Sequence, residues 1–241
     1  MYNEQDYLKT GTGEDTAVNP VAAQNAFINR VYGWMCAALA LTGGVAWYVS
    51  RQEELLKIIF QRGIFWVLII ATFLLVLGLS AALNRISATV ATVAFIVYAA
   101  LEGVLFSVIF IGYTQSSIAT TFFATSLTFG TTSLIGWVIK TDLSGLGRFL
   151  LFALFGLIIG SVINIFWANS GFEALLTYAG IFIFAALAAY DTQKIKYMSM
   201  NAGAMAREDG QKYAIIGALM LYLDFINLFL YLLRIFGGRR N

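Results

Sequence analysis

Three acidic residues stand where an apolar chain should reject them. Asp224 lies in Leu-Tyr-Leu-Asp-Phe-Ile-Asn-Leu-Phe, near the middle of an apolar run from Tyr213 to Phe236. A charged side chain at bilayer depth costs about 2.5–3.5 kcal/mol even on the lenient insertion scale, so it faces protein or water and has a partner. Asp191 closes the preceding apolar run, after Ala185-Ala186-Leu187-Ala188-Ala189-Tyr190. Those small residues permit a neighbouring helix to come close. Glu102 is set well inside a third run. Two carboxylates held together in a partly dry site cannot both ionise cheaply, so such a pair takes up and releases a proton as a unit. One shared proton joins the two helices; its loss leaves repulsion that biases them apart. The chain has no histidine, which leaves carboxylates as the pH-responsive groups. Their oxygens also suit a hard cation. Ca²⁺ takes about 6–8 oxygen ligands, so Asp191 and Asp224 alone would bind it weakly along a path, and no resident cofactor is expected.

Plainer roles compete with these. Asp191 could pair with Lys194 or Arg85 at headgroup level. Asp224 could make a structural hydrogen bond or ion pair. Glu102 could hydrogen-bond a neighbouring helix, and Arg234 could anchor at the interface or pair with Glu53, Glu54 or Glu173.

The elements that must position these groups read as helices. Seven apolar runs approach the ~20 residues that cross a bilayer core: 30–50, 64–83, 87–111, 118–139, 149–168, 174–193 and 213–236. The expected fold is all-α, a polytopic membrane protein of seven transmembrane helices. On the seventh, Asp224, Asn227, Tyr231 and Arg234 recur at helical spacing on one face, which Met220 and Gly217 extend. A polar stripe on a helix whose other faces are bulky and apolar places that helix at the centre of the bundle. Gly156, Gly160 and Asn164 form a stripe that invites a close neighbour on the fifth span. Eight Ser and Thr residues on the fourth span, between Thr120 and Ser133, predict hydrogen bonds between helices, with a polar wall along a path as the alternative. The second and third spans form a tight hairpin about Asn84-Arg85-Ile86-Ser87. The long polar connection from Lys194 to Lys212 lies between the sixth and seventh.

Composition sets the class. The chain has 241 residues, 60% hydrophobic and 12% charged, where soluble domains carry about 25% charged residues. The lipid bilayer must cover the surplus apolar surface. A net charge of +2 gives nucleic-acid binding no electrostatic support. Residues 1–25 read as a flexible polar tail ahead of a domain spanning 26–241, with Asn19-Pro20 able to cap a short helix. The tail has no signal-peptide pattern. With the N-terminus inside, the inner segments hold nine Lys and Arg and the outer ones six, which favours a cytoplasmic N-terminus.

The stretches Leu101-Glu102-Gly103, Ala189-Tyr190-Asp191-Thr192-Gln193 and 221–229, with Leu-Leu-Arg following at 232–234, resemble the transmembrane Bax-inhibitor-motif family in its bacterial form. The resemblance covers residues 25 to 236. It implies seven helices with the last surrounded by six, in a bacterial inner membrane. It implies a pH-sensitive calcium leak governed by an aspartate pair, which falls on Asp191 and Asp224, and a basic residue at Arg85 able to engage that pair. Asn201–Gly210 departs from the bacterial pattern as an extra segment in the sixth-to-seventh connection. The polar tail and that connection also suit a second function, a membrane interaction protein acting on a membrane protease or stress response. An intramembrane aspartyl protease would place Gly-Xaa-Gly-Asp around one acid, and neither Asp191 nor Asp224 has it, so no enzyme is expected.

Overall fold

Eight α-helices follow one another in the computed structural model, which describes residues 20–61, 63–82, 85–201 and 207–238. They are α1 (Pro20–Val49), α2 (Glu53–Ile59), α3 (Ile64–Ala82), α4 (Ala88–Gly112), α5 (Gln115–Val138), α6 (Ser144–Trp167), α7 (Ser170–Met200) and α8 (Arg207–Phe236). Most residues of the expected tail, the hairpin residue Asn84 and the C-terminal Arg239 and Arg240 lie outside the described residues.

Five helices, α4 to α8, are long and apolar enough to cross a membrane; α1 and α2 together would make a sixth. They meet at a 104° bend around Arg51 and Gln52. The described apolar part of α3, Ile64–Leu79, is shorter. The fold is all-α, as the apolar runs predict.

Local chemistry sets several helix boundaries. Pro20 opens α1, where its missing N–H is no loss. The expected short helix at Pro20 is instead continuous with the first span. Ser87, Thr114 and Asn169 cap α4, α5 and α7 by accepting hydrogen bonds from Val90, Ser117 and Phe172 amides. Between α5 and α6, the Ser144 hydroxyl and amide donate to Asp142 Oδ1 at 2.6 and 2.9 Å. These bonds hold the Asp142 carboxyl below the usual carboxylate range. Ala168 ends α6 in the left-handed conformation (φ 43°).

Two connections differ from expectation. Glu53–Ile59 forms a helical turn where only a loop is expected. The polar connection 194–212 is mostly helix, because α7 runs on to Met200 and α8 starts at Arg207. Glu208 and Asp209 in its first turn favour that start, and Asp209 pairs with Lys212 at 3.3 Å. The connection proper is 201–206, of which 202–206 lie outside the described residues.

The core is α8. In its most apolar stretch 72% is buried, against 17–33% for α4 to α7. It packs on α1, α4, α5 and α7. Tyr222, fully buried, meets Phe95 and Tyr98 of α4 edge-on at 5.8 and 5.9 Å. The Thr42 hydroxyl donates to Ala99 O at 2.8 Å, so the 2.7 Å contact with Tyr222 has the tyrosine as donor. That relay ties α1, α4 and α8 at one level.

Glycines set the closest approaches. A Cβ on Gly136 would run into the backbone of Ala189, and one on Gly103 would lie 2.7 Å from Thr42 O. The expected small-residue stripe on α6 works at one position. Gly160 packs against Leu176, whereas a Cβ on Gly156 would meet nothing within 4 Å. The α5 hydroxyls also depart from expectation. Thr125, Ser126, Thr128 and Thr132 donate to carbonyls of their own helix. A helix in a dry setting supplies those acceptors one turn back, so the neighbouring helix is not needed. The hydroxyls of Thr121 and Ser133 are buried with no partner among the described residues.

Candidate functional site

Asp224 is 4% exposed on the central helix, and Asp191 is half-buried on α7. Because α7 continues to Met200, Asp191 lies within a helix and not at its end. Both acids line the same cleft, near enough to act on each other electrostatically. Two ionised carboxylates have no donor between them, so a hydrogen bond can join them only when one holds a proton. As plain acceptors they leave Asp224 Oδ2 buried with no partner, an arrangement that costs free energy unless a proton or cation arrives. The small residues of α7 do what the sequence suggests. Ala188 is fully buried, and Ala189 closes on Gly136 of α5.

The pair lines a cleft of about 730 Å³ enclosed by α3, α4, α6, α7 and α8. Met220, Asp224, Asn227, Tyr231 and Arg234 of α8 all face it, so the predicted helix face is the cleft wall. Gly217 turns away and packs against Ile195 and Val31. Neither α3 and α6 nor α1 and α5 are among the closely packed helix pairs.

Glu102 enters the same cleft from α4. Its Oε1 accepts from Tyr98 Oη at 2.9 Å, one turn back on the same helix and not across to a neighbour. The Asn227 side-chain amide donates to Leu223 O at 2.8 Å, which leaves its oxygen for the cleft. The Arg234 guanidinium lies 5.1 Å from the Tyr231 ring centre. The same arginine shares a smaller pocket with Glu173, Asn164 and Ser161. Tyr231 depends on Gly180 of α7, where a Cβ would lie 2.6 Å from the ring.

Arg85 is not brought to the pair. It is exposed just before α4 and does not line the cleft. Lys194 attracts Asp191 without an ion pair. The one ion pair within 4.0 Å among the described residues is Asp209–Lys212, so neither predicted partner neutralises Asp191. Nor do any three Asp, Glu, Cys or His residues among them cluster as a metal site.

Sequence reasoning missed two supports of the site. Gln193, two residues past Asp191, is 2% exposed. It accepts from Leu143 N and donates to Thr141 O, both at 2.9 Å, and so clamps the α5–α6 loop to α7. A buried glutamine in Asp-Thr-Gln-Lys looks like an interface residue until the loop is seen over it. The Lys196 ammonium donates to Trp137 O at 2.6 Å and so closes the same end.

Residues 24–241 match the family described as inhibitor of apoptosis-promoting Bax1. The chain is 47% identical over 230 residues to the inner membrane protein YbhL of Escherichia coli K12, covering 94% of this chain and 97% of that protein. It is 41% identical to an uncharacterised protein of Borreliella burgdorferi, covering 92% and 95%. It is 39% identical to one of Rickettsia prowazekii, covering 98% and 99%.

Proposed function

The chain belongs to the Bax inhibitor family of membrane proteins, and on that premise we propose that it is a pH-sensitive passive cation pathway, with Ca²⁺ as cargo, in a bacterial inner membrane. The observation that supports the reading is that Asp191 and Asp224 line one cleft beside the central helix. With one proton between them, the acids hold α7 against α8. When that proton leaves, two like charges share a site with no ion pair to either among the described residues. Unit charges about 4 Å apart repel by about 4 kcal/mol at an effective dielectric constant near 20. A third of that shifts a two-state equilibrium about tenfold. Separation of α7 from α8 widens the cleft, and Glu102 and the Asn227 oxygen add ligands for a passing cation. No covalent chemistry is involved.

The chain crosses seven times in this reading, with the N-terminus in the cytoplasm. The 19 residues of α3 span about 28 Å at 1.5 Å each, close to the ~30 Å hydrocarbon core. The helices α4 to α8 and the bent α1 supply the rest. The name of the E. coli relative supports the inner membrane as location.

Calcium flux into dye-loaded liposomes, measured from pH 5 to 8, tests the proposal. Wild type should leak about tenfold faster at the alkaline end, where the pair loses its shared proton. Asp224→Asn and Asp191→Asn each keep a donor between the helices at every pH. Both should give slow flux with a flat profile. A pH profile unchanged in both variants sinks the latch.

A further inference from the structure

On the side of α8 away from the acids, a long apolar trough runs along the open seam between α1 and α5. Two hollows of about 460 and 500 Å³ form it and share Leu39, Phe122 and Phe225. Each is in the range of ligand pockets, about 300–1,000 Å³. Gly43 of α1 and Gly130 of α5 keep it open, for a Cβ on either would meet nothing within 4 Å. The floor is Phe225 with Ile226 and Phe229 of α8.

One end of the trough is charged. At the bend after α1, Arg51 lines the mouth, its guanidinium 4.2 Å from the Trp47 ring centre. Glu53 and Glu54 follow on α2, yet neither comes within 4.0 Å of it. α5 begins at the same mouth with Gln115, so its first-turn amides add partial positive charge. The exposed Leu55, Ile58 and Phe60 beside the bend suit α2 to the interfacial layer, which puts Arg51 at headgroup depth.

We propose that this trough is a binding site for an anionic phospholipid, one acyl chain lying between α1 and α5 and the phosphate at Arg51. An apolar groove with a cationic mouth at headgroup depth matches that amphiphile at both ends. A zwitterionic phospholipid also brings a phosphate, but its own ammonium opposes the Arg51 charge, and a free phosphate would leave the groove unfilled.

Native mass spectrometry of the full chain, equilibrated with equimolar dioleoyl phosphatidylglycerol and dioleoyl phosphatidylcholine, reads the retained lipid. Wild type should keep the anionic lipid about fivefold over the neutral one, the ratio that about 1 kcal/mol per basic side chain gives. Arg51→Gln should bring the ratio to about one while lipid is still retained. Gly43→Leu and Gly130→Leu should lose both lipids at unchanged helical content, since each fills open space. Glycerol 1-phosphate alone should not compete. Equal retention of the two lipids by wild type overturns the proposal. So does a Lys57→Gln control on α2 that lowers the ratio as far as Arg51→Gln, because the preference is then general surface attraction. Displacement by glycerol 1-phosphate would show a phosphate site with no role for the chain, and would overturn it too.

Discussion

Asp224 has its meaning from what surrounds it. In the sequence it is an acid at bilayer depth, and that alone marks it out. That it shares a cleft with Asp191 is not legible there, because 33 positions separate the two and only packing places both on one wall. The helix face was legible: the spacing of Asp224, Asn227 and Tyr231 depends on helical geometry alone. Arg85 failed for the opposite reason. A basic residue near a span end looks like a partner, but it sits outside the cleft. Gly136 offers a sharper residue-scale test than either. Its missing Cβ lets α5 meet the Ala189 backbone, two residues from Asp191. Backbone cannot yield as a side-chain tip can, so Gly136→Ala should cost about 1–3 kcal/mol. Thermal melting in detergent would measure this, and an unchanged midpoint would mean the helices can part freely at that point.

At the scale of elements, each helix end has its own local cause. α6 stops at Ala168, a non-glycine residue in left-handed backbone. Glycine carries no Cβ penalty there, so Ala168→Gly should stabilise the protein by about 1 kcal/mol. The same melting assay reads it as a rise; a fall would mean the alanine methyl packs usefully. The apolar cores of the spans were legible because hydropathy needs no partner. Their lengths were not. Charged and polar residues after Asp191 and before Tyr213 look like a loop, yet α7 and α8 extend into that stretch. Helix propensity and the Asp209–Lys212 pair sustain them beyond the apolar boundary. The short α2 was missed for the same reason: seven residues with three charges carry too little periodic signal.

At the scale of the whole molecule, an opening lies on each side of α8. The cleft between α3 and α6 is polar where the acids meet, and the trough between α1 and α5 is apolar with one cationic end. Both lie where neighbouring outer helices are not closely packed. The centrality of α8 was legible from its all-round bulk, whereas the openings were not, since they depend on which outer helices pack closely. Ends of the molecule are also tied in register. Gly238 N donates to Ser117 Oγ at 2.9 Å, and Thr114 N to Gly238 O at 3.2 Å, so the end of α8 shares a face with the α4–α5 loop. In the proposed topology that face is outside. In a Cys36→Ser background, cysteine at Asn241 should react with a membrane-impermeant maleimide in intact cells, and cysteine at Gln5 should not. The reverse pattern would invert the topology.

A core made from the last helix also has a consequence in time. The helices α1 to α7 leave the ribosome before the one at their centre exists. At about 5–20 residues per second, the 30 residues of α8 take roughly 1.5 to 6 seconds to synthesise. During that interval the earlier helices sit in the bilayer without their centre, and Tyr222, Phe225 and Asp224 have yet to arrive. Assembly therefore waits for α8. A premature stop shortly before α8 leaves the earlier helices with nothing to gather round, a species that membrane quality control can recognise by its unfilled middle.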